Sequence, residues 1–296
     1  MKSAIRTIYK FLPFKRSFCR LFRSVWKPPE HIYRHLTFRG DFSVAIDDAH
    51  SFRLRHFGYP VENGLFWGGI SRCWESVSVG LWIRLSRNAN VILDVGANTG
   101  VYALIAACLQ PEAKVYAFEP VPRVFDRLET NRQLNGYSIH CVRAALSDHS
   151  GTAVIYDSGD EHIYSASVNR NVNDATRPVV PVEIPILRLD DFASEHHLGK
   201  IDLVKIDVEM HEREVLRGFG RYLRDHRPTI LIEIRDEDVA AGVEEQVSGL
   251  GYLYFNIDER AGVREVSRLG ASDYFNFLLC SEETATSLGL TRALRT

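Results

Sequence analysis

A chain of 296 residues with 45% apolar and 25% charged side chains buries one large core, or one core and a smaller lobe, and is not a disordered or fibrous protein. A formal net charge of -2 gives no global attraction for nucleic acid, so none is expected as a partner. The five cysteines, Cys19, Cys73, Cys108, Cys141 and Cys280, form no CxxC pair and no close Cys/His spacing. That argues against a zinc site or a disulfide framework and fits a reducing, cytoplasmic setting.

In chain order, residues 1–27 come first. They carry Lys2, Arg6, Lys10, Lys15, Arg16, Arg20, Arg23 and Lys27 and no acid. Ile5, Ile8, Tyr9 and Leu12 share one helical face, Pro13 interrupts, and Phe18, Leu21, Phe22 and Val25 repeat the spacing. A basic amphipathic segment over 1–30 suits peripheral contact with the inner face of an anionic membrane. It equally suits a helix packed on the protein's own body, and an organellar targeting peptide shares its charge. It does not read as a secretory signal, because no apolar core or small-residue cleavage site follows. The longest uncharged stretch, 95–111, holds a glycine turn and a proline and makes a poor membrane span.

Residues 31–85 read as a small accessory lobe rich in aromatics, with turns at Asn63-Gly64 and Gly68-Gly69 and a helix over 74–84. Over 86–296 the pattern alternates. It predicts strands at 91–96, 114–119, 138–146, 201–207, 228–234, 252–257 and 275–280, and helices at 99–109, 121–134, 210–224 and 237–249. Short β-branched runs alternating with helices predict an α/β fold, a mostly parallel sheet covered on both faces. Strand-like pieces at 152–157 and 182–188 form an insertion, and the polar link between the last two strands predicts an antiparallel hairpin.

The strand ending in Asp94 and Val95 runs into Gly96-Ala97-Asn98-Thr99-Gly100 and then a helix. The backbone N–H groups of that turn are expected to face a ligand. Glu119 closes the next strand, 23 positions after Gly96, where a carboxylate can accept from two ribose hydroxyls. The spacing is Gly-x-x-x-Gly, with Asn98 in place of a middle glycine. It departs from the dinucleotide pattern and favours S-adenosylmethionine as cofactor. The cofactor candidates are therefore Asp94, Gly96, Asn98, Gly100 and Glu119. Ala145, Ser147 and Asp148 at the end of the third strand are candidates to border the adenine, or else form a strand-end turn, and Asp207 is expected to face the same crevice. A nicotinamide oxidoreductase and a non-catalytic, membrane-associated cofactor-binding module are the other readings.

The second informative run, 201–212, sets Lys205 in mid-strand and Asp207 and Glu209 at the strand's end; Glu233 ends the next strand. A lysine buried there needs a carboxylate partner. The acids suit three roles: orienting and deprotonating an acceptor hydroxyl, holding a divalent cation, or favouring a helix start through Glu209 and Glu212. The first makes Glu209, Glu233 and His211 the candidate catalytic groups; no metal is assigned. Tyr102 and Trp67 are candidates to face a sulfonium.

These motifs resemble the FkbM family of S-adenosylmethionine-dependent methyltransferases. The matching stretches are Asp94 to Gly100, Phe118 to Pro120, Ala145 to Asp148, Leu189-Asp190, Ile201 to Glu212, Pro228 and Glu233. The resemblance covers roughly residues 60–280. Met210 stands where the family usually has glycine, and a bulky side chain there is expected to reshape the acceptor pocket. The resemblance implies a Rossmann-like class I methyltransferase fold with a seven-stranded sheet and S-adenosylmethionine as cofactor. It also implies O-methylation of a small-molecule or glycan hydroxyl acceptor: a sugar, glycolipid or secondary metabolite. It implies nothing about oligomeric state.

Overall fold

The computed structural model describes residues 9, 13–26, 28–157, 166–167 and 180–290. It starts with helix Lys15–Val25, a helical turn at Glu30–Tyr33 and an antiparallel hairpin of β1 (Gly40–Ala45) and β2 (Ser51–His56). Helices Pro60–Gly68 and Ser76–Ser86 lead to β3 (Val91–Val95), helix Val101–Leu109, β4 (Lys114–Phe118), helix Pro122–Asn135 and β5 (Ile139–Val142). A side excursion follows: β6 (Ala145–Ser147), β7 (Gly151–Asp157), β8 (Ala166–Ser167) and β9 (Val180–Arg188). The chain then returns through β10 (Leu203–Ile206), β11 (Thr229–Glu233), β12 (Leu253–Asp258), β13 (Gly262–Val266) and β14 (Asn276–Cys280).

The central sheet has the order β13-β12-β14-β11-β10-β3-β4-β5. The five strands from β11 to β5 run parallel, and β14 is antiparallel to β11. Alternate residues feed opposite faces, as the strand period of two requires. Ile92, Val115, Leu203, Leu231 and Leu278 join the layer containing helix Val101–Leu109 and the aromatic residues Phe38, Phe66, Trp67 and Trp82. Leu93, Tyr116, Val204, Ile230 and Leu279 join the layer of Phe192, Val215, Leu223 and Val243. Both faces being covered explains why the middle strands read as unbroken apolar runs.

The sheet has eight strands where seven were expected. The extra one, β13, is an edge strand folded back on β12 by a tight turn. Asp258 Oδ1 accepts from the N–H groups of Arg260 (2.8 Å) and Ala261 (2.9 Å). Gly262 supplies φ 103°, and the polar Arg264 and Glu265 suit an exposed edge. The anticipated hairpin pairing forms between β12 and β14, with β13 inserted between them in sequence. The strand expected at 138–146 is broken as well. Ala144 N–H donates to Val142 O at 3.0 Å, and the kink sends β6 away to pair with β9. β6, β9, β7 and β8 form a second sheet that includes the pieces predicted at 152–157 and 182–188.

The β1–β2 hairpin is tied to helix Pro122–Asn135 by side-chain amides. Arg53 N–H donates to Asn135 Oδ1 (2.7 Å), Arg55 N–H to Asn131 Oδ1 (2.9 Å), and Asn135 Nδ2 to Arg53 O (2.7 Å). At the N-terminus, Tyr9 hydroxyl donates to Thr37 O at 2.7 Å; Ile5, Ile8 and Leu12 lie outside the described residues. Among the described residues no helix is long and apolar enough to cross a membrane.

Candidate active site

A cleft of about 440 Å³ opens where β3, β4, β10 and β11 end, the position at which open α/β sheets take ligands. Of the residues singled out in the sequence, Gly96, Asn98, Glu119, Ala145, Asp207, Glu209, His211 and Glu233 line it. Pro60, Val61, Trp74 and Glu75 reach it from the aromatic lobe, and Arg235 from beyond β11.

One end of the cleft is built on the turn after β3. Gly96 has φ 80°, and a Cβ there would run into the carbonyl of Asp207. Only glycine lets the turn pass so close to the end of β10. Asn98 also has a positive φ, 53°, and its Oδ1 accepts from Thr99 N–H at 2.8 Å. Such a local bond makes asparagine tolerant of this conformation.

The donors of this turn do not face the cleft, contrary to expectation. Gly96 and Ala97 N–H both donate to Phe118 O (3.0 and 2.9 Å), and Gly100 N–H donates to Ala97 O (2.8 Å). Asn98 N–H donates to Glu119 Oε2 at 3.0 Å. The proximity of β4 captures the amides, so the turn is a closed unit rather than an anion cradle.

Glu119 is fixed on both oxygens: Oε2 by Asn98, Oε1 by Val121 N–H at 2.9 Å. Burial pushes its carboxyl up to about 7, against the pull of those two amides. Each carboxylate oxygen can accept more than one donor, and the neighbouring wall is apolar: Phe118, Pro120, Val121, Leu146 and Ile155. A rigid acceptor beside an apolar wall fits the ribose hydroxyls and flat base of an adenosine.

Asp94 and Gly100 lie off the cleft. Asp94 is buried, with Oδ2 accepting from Ala103 N–H at 2.9 Å; it anchors helix Val101–Leu109 to β3. Burial raises its carboxyl to about 7. Gly100, at φ 89°, leaves room for Leu128.

Beyond β10 and β11 the cleft is ionic. Lys205, 1% exposed, places Nζ 3.1 Å from Asp207 Oδ2 and 5.2 Å from the centroid of the Tyr102 ring. Burial opposes the ammonium, but the Asp207, Glu75 and Glu233 carboxylates outweigh it and keep the lysine charged. Tyr102 hydroxyl donates to Glu75 Oε2 at 2.6 Å. Arg235 Nε donates to Glu233 Oε2 at 2.7 Å, and its Nη2 lies 3.2 Å from Glu209 Oε2. Burial, then the Asp207 charge, raises the Glu233 carboxyl to about 8, while Arg235 and Lys205 hold it down.

The loop joining these acids is held by Glu212, whose Oε1 accepts from Val208 N–H (3.2 Å) and Met210 N–H (3.3 Å). Burial raises Glu212 to about 7. Glu209 and Met210 both take positive φ, 54° and 77°. A family glycine at 210 is thereby explained by backbone. The Met210 side chain packs against the apolar layer under the sheet and does not line the cleft, which corrects the expectation that it reshapes the pocket.

His211 faces the cleft with Nε2 3.0 Å from Ser147 Oγ and Nδ1 3.5 Å from Glu214 Oε2. Burial lowers its pKa, so the imidazole is neutral at pH 7. Ser147 thus stands behind the cleft and orients His211. A Cβ on Gly218 would strike Ser147 O, so that glycine sets the distance between β6 and helix Glu212–Gly218. Asp148 turns away to His149 (2.7 Å) and Arg217 (3.5 Å).

Neither proposed aromatic borders the cleft. Trp67 is buried with Nε1 donating to Leu36 O at 3.1 Å, and Tyr102 is taken up by Lys205 and Glu75. Trp74 is the indole that does border it. Arg235 had a readable signal, since residues two apart in an extended chain share a side and it follows Glu233 by two. Trp74 and Glu75 had none, because lobe packing brings them in. Among the described residues no three His, Cys, Asp or Glu side chains are grouped to hold a metal ion.

The profile of the methyltransferase FkbM domain matches residues 94–254. Methyltransferase sdnD of Sordaria araneosa is 31% identical over 185 residues, 54% of this chain and 70% of that one. The 31-O-demethyl-FK506 methyltransferase FkbM of Streptomyces tacrolimicus is 28% identical over 180 residues, 53% and 69% of the two chains. The 2-O-methyltransferase NoeI of Sinorhizobium fredii is 32% identical over 162 residues, 51% and 66%. The match therefore spans about two thirds of the length of these relatives.

Proposed function

We propose that this chain, which belongs to the methyltransferase FkbM family, transfers a methyl group to a hydroxyl oxygen of a sugar, glycan or small secondary metabolite. Its cofactor is S-adenosylmethionine. Family membership displaces the nicotinamide and non-catalytic readings, and the closed turn at 96–100 offers no cradle for a pyrophosphate. Two of the relatives carry O-methyl positions in their names, which supports an oxygen acceptor. The division into a basic segment 1–30, an aromatic lobe 31–85 and a methyltransferase domain 86–296 belongs to the same proposal.

The observation that carries this reading is that one cleft is lined by a rigid, buried Glu119 at the end of β4, by Asp207, Glu209 and Glu233 beyond β10 and β11, and by His211. When bound, S-adenosylmethionine supplies an electrophilic methyl on a sulfonium centre. Glu119 accepts the ribose hydroxyls, and Gly96, Asn98 and Ala145 shape the wall beside them. Asp94, Gly100 and Ser147 act indirectly, by holding helix Val101–Leu109, the turn and His211 in place, and Asp148, turned to His149 and Arg217, takes no part.

Alignment of the acceptor is worth up to ~7–11 kcal/mol where geometry is near ideal. Proton removal adds about 10²–10⁴-fold, so positioning dominates and the base is the smaller effect. Glu233, raised to about 8 by burial, has a proton affinity suited to taking the acceptor's proton near neutral pH. Arg235 fixes its orientation and that of Glu209. Neutral His211, oriented by Ser147, is the second candidate for the base.

Calorimetric titration with S-adenosylmethionine, with NAD in parallel, tests the cofactor half; labelled-methyl transfer to a panel of glycan and metabolite hydroxyls tests the acceptor half. Micromolar binding of the first ligand alone, with label on oxygen, is expected. Preferential NAD binding, or label on nitrogen or carbon only, overturns it.

A further inference from the structure

We infer that Glu259 is a positioning residue for the cleft: from the β12–β13 turn it caps helix Ser76–Ser86, and so releases Glu75 to face the acceptor. The inference rests on the methyl-transfer reading only in assigning that part of the cleft to the acceptor. Glu75 is the N-cap of this helix by position, yet its side chain makes no capping bond. An N-cap side chain ordinarily accepts from the second or third N–H group of its helix. Here those groups belong to Val77 and Ser78, and both donate to Glu259 instead, at 2.7 Å to Oε2 and 3.2 Å to Oε1. The Ser78 hydroxyl donates to the same Oε1 at 2.5 Å.

Glu75 and Glu259 compete for one place. The positive end of a helix dipole favours a carboxylate beside the first turn, and Glu259, 182 residues on from Val77, holds it. The tight turn built on Asp258 carries Glu259 there. Burial raises the Glu259 carboxyl and the nearby Glu75 charge adds to the rise, while the bonds from Ser78 and Val77 hold it down. The two carboxylates therefore repel, which further keeps Glu75 from folding back onto its own helix.

The released Glu75 is put to use. Its Oε2 accepts from the Tyr102 hydroxyl at 2.6 Å, and with Asp207 and Glu233 its charge keeps Lys205 an ammonium. Glu75 thus belongs with the acids beyond β10 and β11, where the methyl-transfer reading places the acceptor, and not with Glu119. Trp74, one residue earlier and 43% exposed, lines the cleft beside it. An indole face and a carboxylate fixed at the head of one helix give a wall that meets both the apolar and the hydroxyl parts of an acceptor. The hairpin that adds β13 to the sheet therefore also latches the aromatic lobe at the cleft.

The test is a double-mutant cycle between Tyr102→Phe and Glu259→Ala in the full chain, read by urea denaturation. Tyr102→Phe keeps the ring and removes the hydroxyl bond to Glu75, so it should lower the parental midpoint. With Glu259→Ala that loss should shrink to about half or less, because Glu75 returns to cap its own helix. A residue that merely supported the fold would give losses that add. Additive losses overturn the inference, and so does a parental midpoint that Tyr102→Phe leaves unmoved. If Glu259→Ala does not fold, Glu259→Gln, which loses one of the two acceptor oxygens, carries the same cycle. For function, the probe is the hydroxyl compound that takes most label in the panel above. Glu259→Gln should raise its KM about fivefold or more and leave the dissociation constant of S-adenosylmethionine within about twofold, the size of effect expected for one lost contact. An unchanged KM, or an effect on the cofactor alone, overturns the inference. If no compound takes label, the methyl-transfer reading fails, and the cycle by itself decides whether Glu259 positions Glu75.

Discussion

Lys205 and Asp207 form an ion pair across two residues of one strand end, with Nζ 3.1 Å from Oδ2. The ammonium is buried, whereas the carboxylate side chain is 33% exposed at the cleft. Lys205→Met removes the charge that offsets Asp207, Glu75 and Glu233 together. Losing one partner of a buried pair costs about 3–5 kcal/mol; with Asp207 partly solvated the loss should fall on the order of 2–3 kcal/mol. Urea denaturation measures it. The acid limb of the pH–rate profile should also move to higher pH, since one charge holding Glu233 down is gone. An unchanged midpoint and an unmoved limb would mean that Lys205 neither offsets these acids nor tunes Glu233.

Glu119 predicts a pH dependence for cofactor binding. Its carboxyl is raised by burial to about 7 from an ordinary 4.5, and the ionised form is the one that accepts ribose hydroxyls. Affinity for S-adenosylmethionine should therefore strengthen as pH rises through about 7, with a proton released on binding. Glu119→Gln should weaken binding by roughly 10–100-fold, the worth of hydrogen bonds to a charged group, and flatten the pH profile. Calorimetry in buffers of different ionisation enthalpy reads both.

The same burial acts on stability with the opposite slope. Asp94, Glu119 and Glu212 are each raised to about 7. Between their unfolded values and about 7 the folded chain keeps protons that the unfolded chain has lost. Their contribution is full at the low end and fades as pH rises through about 7. The cofactor-free protein should therefore melt at a lower temperature at pH 7.5 than at pH 6, and scanning calorimetry across that interval checks it.

Glu233→Gln keeps the shape of the side chain and removes the base. Turnover should drop by about 10²–10⁴-fold while the dissociation constant for S-adenosylmethionine stays near the parental value. If turnover persists, the proton goes elsewhere, and His211→Ala becomes the variant to measure.

Met210 offers a comparison in which glycine should win. Its φ is 77°, a region that costs an ordinary residue ~1–2 kcal/mol and glycine almost nothing. Met210→Ala and Met210→Gly lose the same packing against the apolar layer, but only glycine relieves the backbone. The glycine variant should be more stable than the alanine variant by about 1 kcal/mol, the reverse of the order in a helix or strand.

The part of the site that follows from strand ends was readable in the sequence. β3, β4, β10 and β11 are short apolar runs covered on both faces, so the residues closing them converge: Gly96, Glu119, Asp207 and Glu233. What could not be read depends on how the backbone bonds beyond each run. No turn residue interrupts the stretch from Cys141 to Leu146, so nothing marked the break that separates β6 from β5. β13 is polar because it is an edge, and an edge looks like a loop. The amides of 96–100 looked free because only the three-dimensional closeness of β4 shows where they bond. Trp74 and Glu75 lie just ahead of helix Ser76–Ser86, and packing of the aromatic lobe carries them to the cleft.

The two amides that bind the β1–β2 hairpin have a consequence for self-association. Asn131 and Asn135 are four apart on a helix, a rise of about 6 Å; Arg53 and Arg55 are two apart on a strand, a rise of about 6.6 Å. The near match lets one helix imitate the rungs of a neighbouring strand. The margin of the hairpin along β2 is thus occupied by groups that cannot be extended into a further ribbon, and that margin offers no template for strand-by-strand growth of fibrils.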